Sequence, residues 1–470
     1  MLPAYTGEAA VGVLSHWLPT PGGRSSPRAL LDCPTAPRCD SPVTEPVAHG
    51  ARKAALAFIF VTVLIDILAF GLIIPVLPHL VKQFVGGDTR VAAHWIGVFG
   101  VAFSLIQFVS APIQGTLSDR FGRRPVILLS CLGLGIDFIF MALANSLPWL
   151  FVGRVISAIT SASFTTANAY IADVTPPEKR AQAFGMIGAA FGLGFIVGPA
   201  LGGWLSVIDL RFPFWGAAFL ALCNFAYGWF VLPESLAPDH RSARFDWRHA
   251  NPLGSLKLLR SYPQVWGLAA VVFLINLAHF VYPNIFVLFA DYRYHWGPEA
   301  VGTVLAIVGV CGVIVQAGLV KHAVAAWGER RALLFGLMSG VIGFAIYGWA
   351  PTGTLFLVGI PIMAFWGFAM PSTQALVTKQ VGPKVQGRVQ GALSSLMSLA
   401  GIVAPLFYTS IFAWFISPKA PTHQPGAPFW AAGLLLVVAF GVAWRFARAP
   451  AAADTKRDVE LPAASEMGAE

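Results

Sequence analysis

Most of this chain does not alternate apolar with polar residues. It runs in apolar blocks of roughly 20 residues, parted by short turns rich in Gly, Pro and charge. Such a block, wound into a helix, crosses the hydrocarbon core of a bilayer. The pattern predicts twelve spans, near 54–81, 94–115, 125–144, 147–171, 181–206, 212–232, 265–290, 299–320, 332–350, 353–376, 389–416 and 428–446. An even number of spans leaves both ends of the chain on one side. The longest polar interruption, 233–264, divides the spans six and six. The expected organisation is an extension (1–50), a first six-helix bundle (51–232), a linker able to lie on the membrane surface (233–264), a second six-helix bundle (265–446) and a tail (447–470). The extension is rich in Pro, Ser, Gly and Ala. It has no sustained apolar core behind a basic start, so it predicts disorder rather than a signal peptide.

The two halves read as repeats. Gly115…Gly122-Arg-Arg is answered by Gly318…Gly328-Glu-Arg-Arg331, Arg180-Ala-Gln-Ala-Phe-Gly185 by Arg388-Val-Gln-Gly391, and Pro199 by Pro405, at a near-constant offset. Parallel repeats of this kind pack as two bundles around a site at mid-membrane. The second charged loop lacks an Asp and reads as a degraded copy.

Composition sharpens the picture. The chain is 56% apolar and only 11% charged, where a soluble domain carries about 25% charged residues. The net charge of +9 would suit nucleic acid if it were clustered, but it is spread over the turns. Twenty-two Lys and Arg residues fall on the side that holds both termini and five on the other, which makes the first side cytoplasmic and excludes nucleic acid as a partner. Cys131, Cys223 and Cys311 lie within spans and act as small hydrophobes. Cys33 and Cys39 in the extension have no second pair to complete a metal site, and no cofactor or metal is expected.

The densest charge is the turn Gly115-Thr-Leu-Ser-Asp119-Arg120-Phe-Gly122-Arg123-Arg124-Pro125. Gly115 and Gly122 suit helix ends, and Pro125 the first turn of the next helix. Read plainly, it is a positive-inside anchor.

Ionisable residues inside spans are costly and mark function. Asp66 lies near the middle of span one, Asp137 in span three and Arg154 in span four. An Arg keeps its charge at physiological pH and eases proton loss from a nearby carboxyl. The sequence leaves open whether that neighbour is Asp66 or Asp137. In span four, Arg154, Ser157, Ser161, Thr165 and Asn168 recur at helical spacing and share one face, toward a cavity or a packed helix. Gln107 in span two, Asn276 and His279 in span seven and Gln374 in span ten are further cavity candidates; His279 suits a proton carrier, though a single His of this kind is more often a hydrogen-bonded packing residue. Span five carries Gly194…Gly198-Pro199-Ala-Leu-Gly202-Gly203. Within a membrane span these glycines serve close helix contact and the proline a kink, not a dinucleotide.

Together these features resemble the tetracycline/proton antiporter branch of the drug-efflux major facilitators. The resemblance covers about residues 54 to 446. It rests on Asp66…Gly71-Leu-Ile-Ile-Pro75-Val-Leu-Pro78, the 115–125 loop, Gly153-Arg154, Tyr170-Ile-Ala-Asp173, the span-five motif, Leu232-Pro-Glu-Ser235, Tyr294-His-Trp296, Gly328-Glu-Arg-Arg331 and Gln386-Gly-Arg-Val-Gln-Gly391. It implies an all-α fold of twelve transmembrane helices in two bundles, and export of amphipathic, cationic or metal-chelated drugs in exchange for protons. It assigns Asp66 and Asp137 to substrate or proton handling, Arg154 to proton coupling, and Asp119 and Arg123, with Gly115, Arg120, Gly122 and Arg124, to a cytoplasmic gate loop. The chain departs from the branch in carrying Gly340 and Gly312 where tetracycline pumps carry an intramembrane Asp and a His.

The expected protein is therefore a transporter and not an enzyme. It is a multi-pass monomer of the bacterial inner membrane, with cytoplasmic termini, whose partners are lipid, a small-molecule substrate and the proton. The rival on the same fold is an importer or facilitator of a small metabolite, against which the span-five antiporter pattern argues.

Overall fold

A computed structural model describes residues 49–160, 163–176, 179–236, 239, 241, 263–381 and 383–447. The extension, most of the linker and the tail, with Cys33, Cys39 and Ser161, lie outside the described residues, as does the side chain of Thr165.

All twelve spans are present as helix. Ten apolar helices are long enough to cross a bilayer. One of these, Pro298–Trp349, is spans eight and nine joined across a break at Gly328 (φ 75°). Span four completes the set and is described on either side of residues 161–162, as Leu147–Thr160 and Ser163–Val174. Apolar residues of the spans face outward, toward lipid, as well as one another: in span six Phe230 is 84% exposed and Phe219 68%.

Where spans bend, the sequence supplies the cause. Span one ends its first piece at Ile73 and resumes at Leu77–Phe84, because Pro75 and Pro78 remove backbone donors. Span seven runs Pro263–His279, passes through a π-helical turn at Tyr282–Phe286 that contains Pro283, and finishes as Val287–Tyr294. Span two, Thr89–Phe121, starts on an Asp88 cap whose carboxyl accepts from the N–H of Arg90 (2.8 Å) and Val91 (3.3 Å), and these bonds hold Asp88 below the usual carboxylate range. This span runs straight through Gly115, so that glycine is not the helix end the sequence suggested. Gly122 is, with φ 105° and ψ 163°.

Alternating spans define two ends. The basic end holds the 122 turn, Glu234 and Gly328; the far end holds the turns at 85–88, 207–211, 295–297 and 416–426. The halves meet along two helix pairs, two with eleven and five with eight. Both pairs are tight at the far end. A β-carbon on Gly203 would lie 2.7 Å from the Pro298 carbonyl oxygen, and one on Gly100 2.7 Å from the Pro405 ring. Both pairs splay toward the basic end: a β-carbon would lie 3.5 Å from Val313 at Gly192 and 3.7 Å from Ser104 at Gly401, and would meet nothing within 4 Å at Gly188, Gly115 or Gly391. The space between the halves thus closes at the far end and opens at the basic end.

Candidate functional site

Span three (Arg123–Leu143) and span four bring the interior charges together. Asp137 is fully buried, and Ser157 is the one side chain that hydrogen-bonds to it among the described residues. Its seat is made by Gly153: a β-carbon there would lie 2.7 Å from Asp137 Oδ1. The next residue is Arg154, half-buried, whose charge acts on Asp137 without closing an ion pair. Its guanidinium lies over the Phe103 ring of span two, 4.5 Å from the centroid. Ser157, one turn on, is buried alongside. The neighbour that the sequence left undecided is Asp137. A buried carboxyl with one fixed positive charge and a single hydroxyl donor near it is a group able to exchange a proton.

Asp66 occupies a second chamber in the same half. Its Oδ1 accepts from Asn224 Nδ2 of span six at 2.9 Å, and the same amide donates to the Thr62 carbonyl at 3.0 Å. Cys131 Sγ of span three is 3.9 Å from the carboxylate. Cys131 is thus not merely a small hydrophobe. Asn224, which sequence reasoning passed over, is signalled only as an amide within the apolar run of span six.

At the basic end, Arg123 gathers three elements. Its guanidinium donates to Asp119 Oδ1 (2.5 Å), Ser118 Oγ (3.0 Å) and Asp173 Oδ2 (3.1 Å). Arg124 donates to the Trp229 carbonyl at 2.7 Å. The start of span three is capped from a distance by Glu234, which accepts from the backbone N–H of Arg123 (2.8 Å) and Arg124 (3.2 Å). Gly122 leaves the room, since a β-carbon there would strike the Glu234 carboxylate. Among the described residues, these bonds of Asp119, Arg123, Arg124 and Glu234 stay within the first half. Arg120 instead lies over Phe121. Asp173 and Glu234 were legible only as parts of 170–173 and 232–235, with no role attached.

The second charged loop is less degraded than it reads. Gly328 repeats the positive φ of Gly122, and Glu329 Oε1 accepts from Lys379 Nζ at 2.5 Å. Glu329 and Lys379 stand where Arg123 and Asp173 stand in the first half, with charges exchanged. Arg330 donates to the Trp444 carbonyl at 3.0 Å, as Arg124 does to Trp229.

The span-five motif makes two contacts. Gly194, Gly198 and Gly202 admit the backbone of span one at Leu68, Gly71 and Leu72, while Gly203 admits span eight of the other half. Pro199 lies within the helix, its carbonyl against Gly302 of span eight. Of the remaining candidates, His279 is exposed, with Trp366 and Tyr282 rings at 5.8 and 5.9 Å. Asn168 and Gln107 are half-buried. Asn276 is spent on the Val272 carbonyl of its own helix (2.8 Å), and Gln374 accepts from Gln390 (3.0 Å), tying span ten to eleven. At Gly340 a side chain would meet the Trp366 indole at 3.0 Å and Leu436 at 2.6 Å, whereas Gly312 has no neighbour within 4 Å.

The sequence pattern of the Major Facilitator Superfamily matches residues 59–405. The chain is 38% identical to the class C tetracycline resistance protein of Escherichia coli, across 76% of this chain and 90% of that one. It is 35% identical to the class G protein of Vibrio anguillarum (77% and 91%), and 28% identical to multidrug resistance protein 2 of Bacillus subtilis (86% and 98%). In fold it is similar to a bacterial homologue of the human lysosomal transporter Spinster in its inward-facing, unoccupied conformation, with TM-score 0.65 and 18% identity over 86% of this chain and 100% of that one. It also resembles the human organic anion transporter MFSD10, with TM-score 0.62 and 24% identity over 83% and 99%.

Proposed function

Since the chain belongs to the major facilitator superfamily, we propose that it is a proton-coupled secondary transporter that exports small amphipathic drugs across the bacterial cytoplasmic membrane. The basic end is cytoplasmic, by its arginines and lysines, and the structure is then the inward-facing state. Cargo enters the open space between the halves from the cytoplasm and passes Arg154, Phe103 and His279. The carrier is a monomer, needs no cofactor and draws on the proton gradient.

One observation carries the reading: a fully buried carboxyl, Asp137, sits beside Arg154 and Ser157 at the middle of a membrane bundle. Protonation of Asp137 changes the cost of burying it, and so changes which of two conformations is preferred. Asp66 follows through its bond to Asn224, coupling its own charge to the packing of spans one, three and six. The 115–124 loop, tied within its own half here, is free to latch the cytoplasmic ends when these close. The relatives named for tetracycline resistance support efflux of such compounds. Trp366 and Leu436 fill the Gly340 position, where a proton-active Asp is expected in tetracycline pumps, so the cargo need not be tetracycline.

The test is a drug-susceptibility panel in a bacterial host stripped of its own pumps. Expression is expected to raise resistance to one or more amphipathic drugs. In inverted vesicles the same drugs release protons from the lumen, and Asp137→Asn abolishes both effects with protein still in the membrane. Export that persists after the proton gradient is collapsed overturns the proposal.

A further inference from the structure

The two halves carry opposite charges to one point at the far end. Lys82 Nζ of span one lies 2.5 Å from Asp291 Oδ2 of span seven, and His79 Nε2 lies 3.8 Å from Asp291 Oδ1. His79 is oriented by its other ring nitrogen, which donates to the Pro75 carbonyl at 2.9 Å. Among the described residues, Lys82–Asp291 is the ion pair of permanently charged groups that joins the halves, with His79 beside it; the pairs of Arg90, Arg123 and Lys379 lie within one half.

Both partners ride on short terminal helices hinged to the body of their spans. Lys82 is on Leu77–Phe84, beyond the break at Pro75, and Asp291 is on Val287–Tyr294, beyond the π-turn at Tyr282–Phe286. The break in span one lies between this contact and Asp66; the turn in span seven lies between it and His279. The cluster borders a cavity of about 470 Å³ lined also by Tyr292, Arg293, His295 and His423, so the pair keeps contact with water. Its side chains are 27% and 18% exposed. A half-wet pair is weak: it biases an equilibrium without freezing it.

We propose that Lys82 and Asp291 form an outer gate that stabilises the inward-facing state and must part before cargo can leave. The contact exists only while the far ends of spans one and seven are together. Rocking of the halves, the motion on which the proposed export depends, pulls it open.

The gate is tested by labelling, which reads conformation and not cargo. Thr409 is fully buried at the outer seam against Gly97. In a chain whose own cysteines are replaced, Thr409→Cys reports outer opening to a membrane-impermeant maleimide in right-side-out vesicles. Lys82→Met and Asp291→Asn are each expected to raise the labelling rate about two- to fivefold, the range a partly exposed ion pair carries. Lys82→Glu, which sets two acids against each other, raises it further. The exchange Lys82→Asp with Asp291→Lys returns it toward the parent rate. Immunoblots of the vesicles keep expression separate, and if one single variant fails to insert, the others decide. Unchanged labelling in the neutralised variants overturns the gate, as does an exchange that stays as fast as the singles. Faster labelling without export of any panel drug upholds the gate and overturns the drug reading; intact export with unchanged labelling does the reverse.

Discussion

At the scale of single residues, the interior site depends on an atom that is missing. Gly153 was legible in the sequence only as the residue before Arg154. The structure makes it the wall of the Asp137 seat, 2.7 Å from a carboxylate oxygen were it to carry a β-carbon. Alanine in place of glycine normally steadies a helix by about 1 kcal/mol, so Gly153→Ala is expected to leave thermal stability at or near that of the parent. The carboxyl must swing away, however, and its proton is exchanged from the wrong place. Export is expected to fall about tenfold or more, as misplacement of a reacting group by about 1 Å commonly produces. A wild-type export rate in Gly153→Ala, measured as drug accumulation against membrane protein, refutes the seat. The charges themselves were readable because Asp and Arg are rare in apolar runs. Their neighbours Asn224 and Cys131 were not, because an amide or thiol in a span costs little enough to pass as packing.

At the scale of elements, the basic-end loop was read as a string of charges, and the structure shows a cap. Span three begins with donors that its own helix cannot satisfy. Glu234, more than a hundred positions on, accepts two of them, and Arg123 and Arg124 tie the same corner to spans four and six through Asp173 and the Trp229 carbonyl. No local pattern announces a cap supplied from so far along the chain. Its strength follows from ordinary capping: Glu234→Ala is expected to cost about 1–2 kcal/mol. This shows as a lowered melting temperature of the purified protein in detergent, and as a smaller loss for Glu234→Gln, which keeps an acceptor. Equal stability of Glu234→Ala and the parent removes the cap from the argument. The second loop teaches the same lesson. Sequence comparison looks for the same residue and finds no Asp. The fold keeps the same bond with its charges exchanged, Glu329 to Lys379 in place of Arg123 to Asp173.

At the scale of the whole molecule, the twelve spans and their division were plain in the hydropathy, because a bilayer allows few ways to satisfy a backbone. The state was not, since one sequence must serve every state of the cycle. What fixes it is how the halves touch: backbone to backbone at the far end, then apart. Gly302 lies at that seam, where a β-carbon would meet the Pro199 backbone and come within 3.2 Å of Gly203 Cα. Backbone cannot turn aside as a side chain can, so Gly302→Val is a wedge that only separation of the outer ends relieves. On the proposed orientation it is expected to populate the outward-facing state, quicken labelling at Thr409→Cys in right-side-out vesicles and slow labelling at Gly188→Cys in inverted ones, Gly188 lying on the open basic-end stretch of span five. Export should fall with both changes, because cargo can no longer enter from the cytoplasm. A variant that labels as the parent does at both positions means that the seam tolerates the extra volume while closed. The tight outer packing would then not be what holds the inward-facing state, and the charged contact between Lys82 and Asp291 would have to hold it alone.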